Sequence, residues 1–269
     1  MFGKYLDPKN DVAFKKIFGS EKNKDILIHF LNDILEYKGK DEIKEVTFLS
    51  PIQDPEIASK KQSIVDVLCK DESGRQLIVE MQVSEFEGFI KRAQYYAAKA
   101  YCSQLNRAGQ YKDLKEIIFI AIMDQVLFPE KKFYKSDHVI LDKDSHRHDL
   151  KDFYFTFIEL PKFKKKLEEL SNVTEKWCYF FKYAQTTKNR ELDQLVGNDL
   201  VIRKAYDALE QFNWDEKELL AYEWECKRIL DNIVAEETIK NKAKSEGIAE
   251  GIAEGIAEGE ERKALQAAQ

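Results

Sequence analysis

Residues 64–82 read IVDVLCKDESGRQLIVEMQ. Two apolar runs flank Asp71-Glu72-Ser73-Gly74, the composition of a tight turn. The runs, Gln62 to Cys69 and Gln76 to Val83, predict the two strands of a hairpin. Each carries one acid in apolar company: Asp66 between Val65 and Val67, and Glu80 after Leu77-Ile78-Val79. A charge inside a buried strand is costly unless it is paired or binds a metal. Side chains alternate along a strand, so Glu80 and Gln82 share a face. Pairing across the turn makes Asp66 and Glu80 near neighbours. Two adjacent carboxylates repel, and one is normally protonated. A divalent cation resolves that conflict. Hard oxygen donors suit Mg²⁺, which takes one or two carboxylates together with water and phosphate oxygens. Such an ion polarises a phosphodiester and acidifies water. The same spacing also fits two exposed edge residues or half of a salt bridge, and spacing alone leaves both open.

Outward from the hairpin, the pattern alternates helix and strand. Val12, Phe14, Ile17 and Phe18 predict a first helix ending at Gly19, and Lys24–Tyr37 a second with an apolar face. Glu45–Ser50 predicts a short strand before the hairpin. Phe86–Asn106 predicts a long helix after it. EIIFIAIM, Glu116 to Met123, is apolar throughout and predicts a strand buried on both faces. The order α-α-β-β-β-α-β is that of a mixed α/β core. His138–Leu141 and Phe153–Leu160 predict further strands, and Phe163–Leu170 and Lys176–Ala184 further helices. From Leu192 to Lys242 the pattern is helical and highly charged. The chain closes on EGIAEGIAEGIAEGEE, a four-residue repeat whose glycines weaken a helix by about 1 kcal/mol each. It reads either as a frayed tail or as a segment that orders against a partner. The expected divisions are 1–190, 191–244 and 245–269.

Composition bounds the function. With 269 residues and 43% hydrophobic content, the chain can bury a sizeable core. A net charge of −6 argues against a surface that binds nucleic acid through bulk positive potential, but allows a local basic cleft. Four cysteines, Cys69, Cys102, Cys178 and Cys226, show no zinc-site spacing and read as reduced thiols. No apolar run reaches the length of a membrane span, and the start lacks a signal core. A cytoplasmic protein without a membrane partner is expected. His138, His146 and His148 cluster in a polar loop, which is usually only a loop.

An acid on one strand, E-x-K or a variant on the next, then a helix and another strand, resembles the PD-(D/E)XK nuclease superfamily. More narrowly, DVAFKKIFG near the start, IVDVLCKDESGRQLIVEMQ, KRAQYYAAKAY, FIELPKF and the EGIAEG repeats resemble the recombination-promoting nucleases, also described as PD-(D/E)XK family transposases. The resemblance covers roughly residues 1 to 185 and the tail. It implies a restriction-endonuclease-like α/β core, a mixed sheet flanked by helices with a helical C-terminal region. It also implies a Mg²⁺-dependent DNA endonuclease, with Mn²⁺ or Ca²⁺ as other candidate ions, tied to recombination, mobile elements or defence against foreign DNA. Carried over by residue, Asp66 and Glu80 become metal ligands, and Asp11 a third ligand or simply a helix-terminal acid. Gln82 stands where lysine is usual. It can orient a partner through its dipoles but cannot neutralise charge or act as a base. The proline of the motif is also missing, with Val65 before Asp66. Arg92 and Tyr96 share a helix face and, with Lys91, Lys60 and Lys61, are candidate DNA contacts. Lys15-Lys16, Lys131-Lys132, Lys162 and Lys164–Lys166 could extend a DNA path. The alternative function is a catalytically weak module of this fold that binds DNA or protein, and a third is a strand-transfer accessory protein. A double-strand break from one site per chain favours a homodimer, and the repeat segment is a candidate partner surface.

Overall fold

The computed structural model describes residues 3–53, 63–84, 88–105, 109–197 and 199–267. Helix α1 (Asp11–Phe18) starts where the Asn10 side chain accepts the Val12 and Ala13 amides, and it stops at Gly19. Helix α2 follows over Lys24–Leu35, burying Ile26, Leu27, Phe30, Leu31 and Ile34. Strand β1 (Val46–Phe48) then leads to β2 (Ile52–Gln53), β3 (Ser63–Ile64), β4 (Val67–Asp71) and β5 (Gln76–Gln82). Helix α3 (Phe89–Ser103) crosses to β6 (Ile117–Met123). Next come β7 (Lys135–Ile140), β8 (Leu150–Glu159), α4 (Val173–Tyr183), α5 (Asn189–Val196), α6 (Leu200–Leu209) and α7 (Glu216–Ala267).

The main sheet has six strands in the order β1-β4-β5-β6-β8-β7, and β2 and β3 form a separate two-stranded ladder. Pairs β1/β4, β4/β5 and β7/β8 are antiparallel, while β5/β6 and β6/β8 are parallel. A parallel step needs a crossover, which α3 supplies between β5 and β6. All seven residues of β6 are buried, as its unbroken apolar run requires of a central parallel strand. Helices flank this mixed sheet.

The hairpin turn is built by Asp71. Its Oδ1 accepts the Ser73 and Arg75 amides, both at 2.9 Å, and Gly74 supplies a φ of 88°. The strand expected over Gln62–Cys69 is divided. Its first part pairs with β2 and its second enters the main sheet, with Val65 and Asp66 at the join. The expected helix over Phe163–Leu170 is absent; 3₁₀ turns at Leu160–Lys162 and Leu167–Glu169 take its place. Pro161 has no amide to give a helix, and the Leu160 and Phe163 carbonyls accept from Lys182 Nζ at 3.2 and 2.6 Å.

Two apolar assemblies fix the geometry. On one sheet face Phe89, Ala93, Ala97 and Ala100 of α3 pack against Leu68, Ile78, Phe119, Ala121 and Phe157. The alanines let the helix lie close to the sheet. Elsewhere Phe14, Phe18, Phe30, Trp177 and Phe181 form an aromatic cluster, with Phe18–Phe30 centroids at 5.0 Å and Phe30–Trp177 at 5.3 Å. Each such buried ring adds roughly 1.5–3 kcal/mol. This cluster ties α1 to α2 and α4 and so sets where Asp11 and Lys15 stand.

Residues 1–222 form one compact unit and 223–269 a second. The repeat lies within α7, helical as far as Ala267, and Trp224, Leu230, Val234, Ile248 and Ile252 of the second unit are exposed. Among the described residues no helix is long and apolar enough to cross a membrane.

Candidate active site

Register fixes the first contact. Val67 faces Val79 and Leu68 faces Ile78, so Asp66, one step before β4, arrives opposite Glu80. Ile78 packs toward α3, and period two sends Glu80 and Gln82 to the same side. Asp66 ends the ladder with its own side chain. Its Oδ2 accepts the Met81 amide at 2.8 Å, and its amide donates to Glu80 Oε1 at 3.2 Å. The two carboxylates are thus joined by backbone amides, although they repel.

Both are deep. Glu80 is only 5% exposed. Burial is the main cause that pushes the Asp66 carboxyl up to about 6; the Met81 amide opposes it, and the Asp11 carboxylate adds to it. Burial first, and then the Asp66 charge, push Glu80 well above the usual carboxylate range, with Arg92 opposing. A site this unfavourable for anions is suited to a cation.

Helix α1 brings one. Lys15 Nζ lies 2.7 Å from Asp11 Oδ1, 2.9 Å from Asp11 Oδ2 and 3.7 Å from Asp66 Oδ1. Burial alone would lower its pKa, but the Asp11, Asp66 and Glu80 carboxylates outweigh that and hold it above the ordinary value. Helix α3 brings a second cation. Arg92 donates to Gln82 Oε1, and its guanidinium lies over Phe89 at 4.8 Å and Tyr96 at 5.8 Å. The other end of the Gln82 amide donates to the Ser84 carbonyl at 2.9 Å. Gln82 is therefore a clamp for Arg92 and a loop, as an amide with both a donor and an acceptor can be.

Asp66, Glu80, Gln82, Arg92, Tyr96 and Asp11 are thereby gathered between α1, the β4–β5 hairpin and α3. Lys91 is exposed on α3, while Lys60 and Lys61 lie outside the described residues. Other expected DNA-path cations serve the fold. Lys162 Nζ is 2.6 Å from both Glu159 Oε2 and the Phe128 carbonyl, and Lys165 pairs with Glu175. His138 packs between Phe128 and Phe157, at 5.1 and 5.3 Å. Lys15, in sequence one of several basic pairs, is also a member of this site. Its signal was the four-residue spacing from Asp11.

A family model described as PD-(D/E)XK nuclease family transposase matches residues 8–238. The chain belongs to this family. No curated protein and no solved structure matches it significantly. A PD-(D/E)XK nuclease generally uses a divalent metal, and the donor set here can be tested for fit. Among the described residues no group of three or more His, Cys, Asp or Glu is arranged as a metal cage. Mg²⁺ does not require one, since one or two carboxylates suffice when water and phosphate oxygens complete its shell. Asp66 and Glu80, all oxygen, adjacent and poorly solvated, fit that requirement.

Proposed function

We propose that this family member is a divalent-metal-dependent DNA endonuclease, with Mg²⁺ held by Asp66 and Glu80. The observation carrying the reading is the burial of two carboxylates side by side at the end of a hairpin. Lys15 and Arg92 offset only part of the cost of that pair, since both carboxyls stay above their ordinary range, and a purely structural role gives no reason to bear the rest. When bound, the cation neutralises charge on a phosphodiester and acidifies water. The protein's own groups do the rest. Asp66 and Glu80 stay in place through the Met81 and Asp66 amides. Gln82 orients Arg92, whose guanidinium suits a phosphate. Asp11 sets the position of Lys15. Lys91 and Tyr96 extend the DNA contact along α3. A homodimer brings one site to each strand for a double-strand break. Recombination, movement of mobile elements and defence against foreign DNA are the settings for such cutting.

Plasmid cleavage tests this. Purified protein with Mg²⁺ should nick or linearise supercoiled DNA, EDTA should stop it, and Asp66→Ala and Glu80→Ala should each lower the rate by at least a hundredfold. No cleavage with Mg²⁺, Mn²⁺ or Ca²⁺ would point instead to a non-cutting module of the same fold, for which the glutamine at position 82 is the reason.

A further inference from the structure

Gln82 leaves the reaction short of a positive charge, because its amide is neutral and both of its ends are engaged. Phosphodiester hydrolysis needs that charge. The water oxygen bonds to phosphorus and gives up a proton to solvent, while one ester oxygen leaves with its electron pair and takes a proton from solvent. Negative charge builds on the phosphoryl oxygens meanwhile.

We infer that Lys15, on α1, is the catalytic cation that takes the place of a lysine at position 82. This rests on the nuclease reading and adds a residue to it. Three observations carry it. Lys15 Nζ reaches Asp66 Oδ1 at 3.7 Å while Asp11 grips it with both oxygens, so it is held at the carboxylates. Its side chain is 39% exposed against 17% for Asp66, so it lies toward solvent from the pair, on the side a phosphate can reach. The next residue shows the contrast: Lys16 pairs with Glu218 and lies over Trp214 at 4.2 Å, a packing role. Among the described residues Arg92 is a second cation nearby, but it is clamped by Gln82 and stacked on two rings. Lys15 keeps its proton throughout. Its work is to oppose charge on the phosphoryl oxygens, and Asp11 is then a positioning residue for it.

The inference makes a rescue possible, since a lysine at 82 would restore the missing charge from β5. Wild type, Lys15→Met, Lys15→Gln, Lys15→Arg, Gln82→Lys and the Lys15→Met/Gln82→Lys double variant would be compared. Single-turnover cleavage of duplex DNA with Mg²⁺, calorimetric Mn²⁺ binding and thermal unfolding would be measured on each. Lys15→Met should cut at least a hundredfold more slowly, with unfolding temperature held and Mn²⁺ binding kept or tightened, because a competing ammonium has gone. Lys15→Arg should retain more activity than Lys15→Met, and the double variant should recover at least tenfold. Lys15→Met cutting within threefold of wild type overturns the inference and leaves the nuclease reading standing. So does a double variant that stays inactive although Gln82→Lys alone cuts. Loss of folding in both Lys15→Met and Lys15→Gln marks a structural ion pair and also overturns it. Wild-type protein that cuts nothing removes the nuclease reading and this inference together.

Discussion

Asp66→Asn should make the metal-free protein more stable while abolishing cutting. The change keeps an oxygen for the Met81 amide, keeps the side-chain size, and removes the charge that burial penalises. Lys15 retains Asp11 as its partner. Shifting a carboxyl from 3.8 to about 6 costs its charged form about 3 kcal/mol, at about 1.4 kcal/mol per tenfold. The sign follows from proton counts. Between those two values the folded state binds more protons than the unfolded one, so wild-type stability falls as pH rises through that window. The deficit is complete above about pH 6. The amide carries its own smaller burial cost, so the gain at pH 8 should be about 1–3 kcal/mol. For a unit of this size that is roughly 3–10 °C in unfolding temperature. The assay is thermal unfolding in EDTA at pH 8 and pH 5, where the gap should shrink to roughly half. In excess Mg²⁺ the order should narrow or reverse, because only wild type gains from binding. A variant no more stable than wild type at pH 8 in EDTA would refute the claim that this pair is held at a cost for the sake of a cation.

Two further perturbations probe the surroundings. Gln82→Ala should destabilise by about 1–3 kcal/mol, because the Arg92 guanidinium loses a partly buried acceptor. Urea midpoints equal to wild type would show that the clamp carries no load. The third concerns His29, whose Nε2 lies 3.4 Å from Asp199 and 3.3 Å from Asp33. The hydrogen bond to Asp199 holds its pKa above 6.5 against the opposing effect of burial, with the Asp33 charge adding to it. That stability is present in full below pH 6.5 and is lost as pH rises through the folded value. His29→Asn should therefore flatten the decline in urea midpoint between pH 6 and 8.5, and an unchanged decline would disprove the assignment.

The hairpin was legible because its information is local. Turn residues, two apolar runs and period two are enough to place Asp66, Glu80 and Gln82. The parallel core was legible through β6, whose unbroken apolar run has few other readings. What escaped depends on contacts distant in sequence. Nothing near Lys15 says that an aromatic cluster with Phe30 and Trp177 will turn α1 so that its ammonium meets Asp66. Nothing near Lys162 says that Glu159 will draw it inward and remove it from any DNA path. Local polarity likewise could not show that Lys182 would occupy the Leu160 and Phe163 carbonyls and leave two 3₁₀ turns where a helix was expected. The break at Val65-Asp66 was hidden because the apolar pattern runs through it, whereas the pairing changes partner there.

The hairpin also bears on the order of folding. Asp66 and Glu80 are 14 residues apart and meet across a local turn, so their approach closes a short loop. What desolvates them from further along the chain, the parallel β6 and the helix α1, requires longer closures and arrives late. The two charges can thus pair while still wet, and the repulsion grows only as the last layers dock. A substitution that relieves it should slow unfolding and leave the refolding rate almost unchanged. A cation that enters only the finished site should lengthen the lifetime of the native state in the same way.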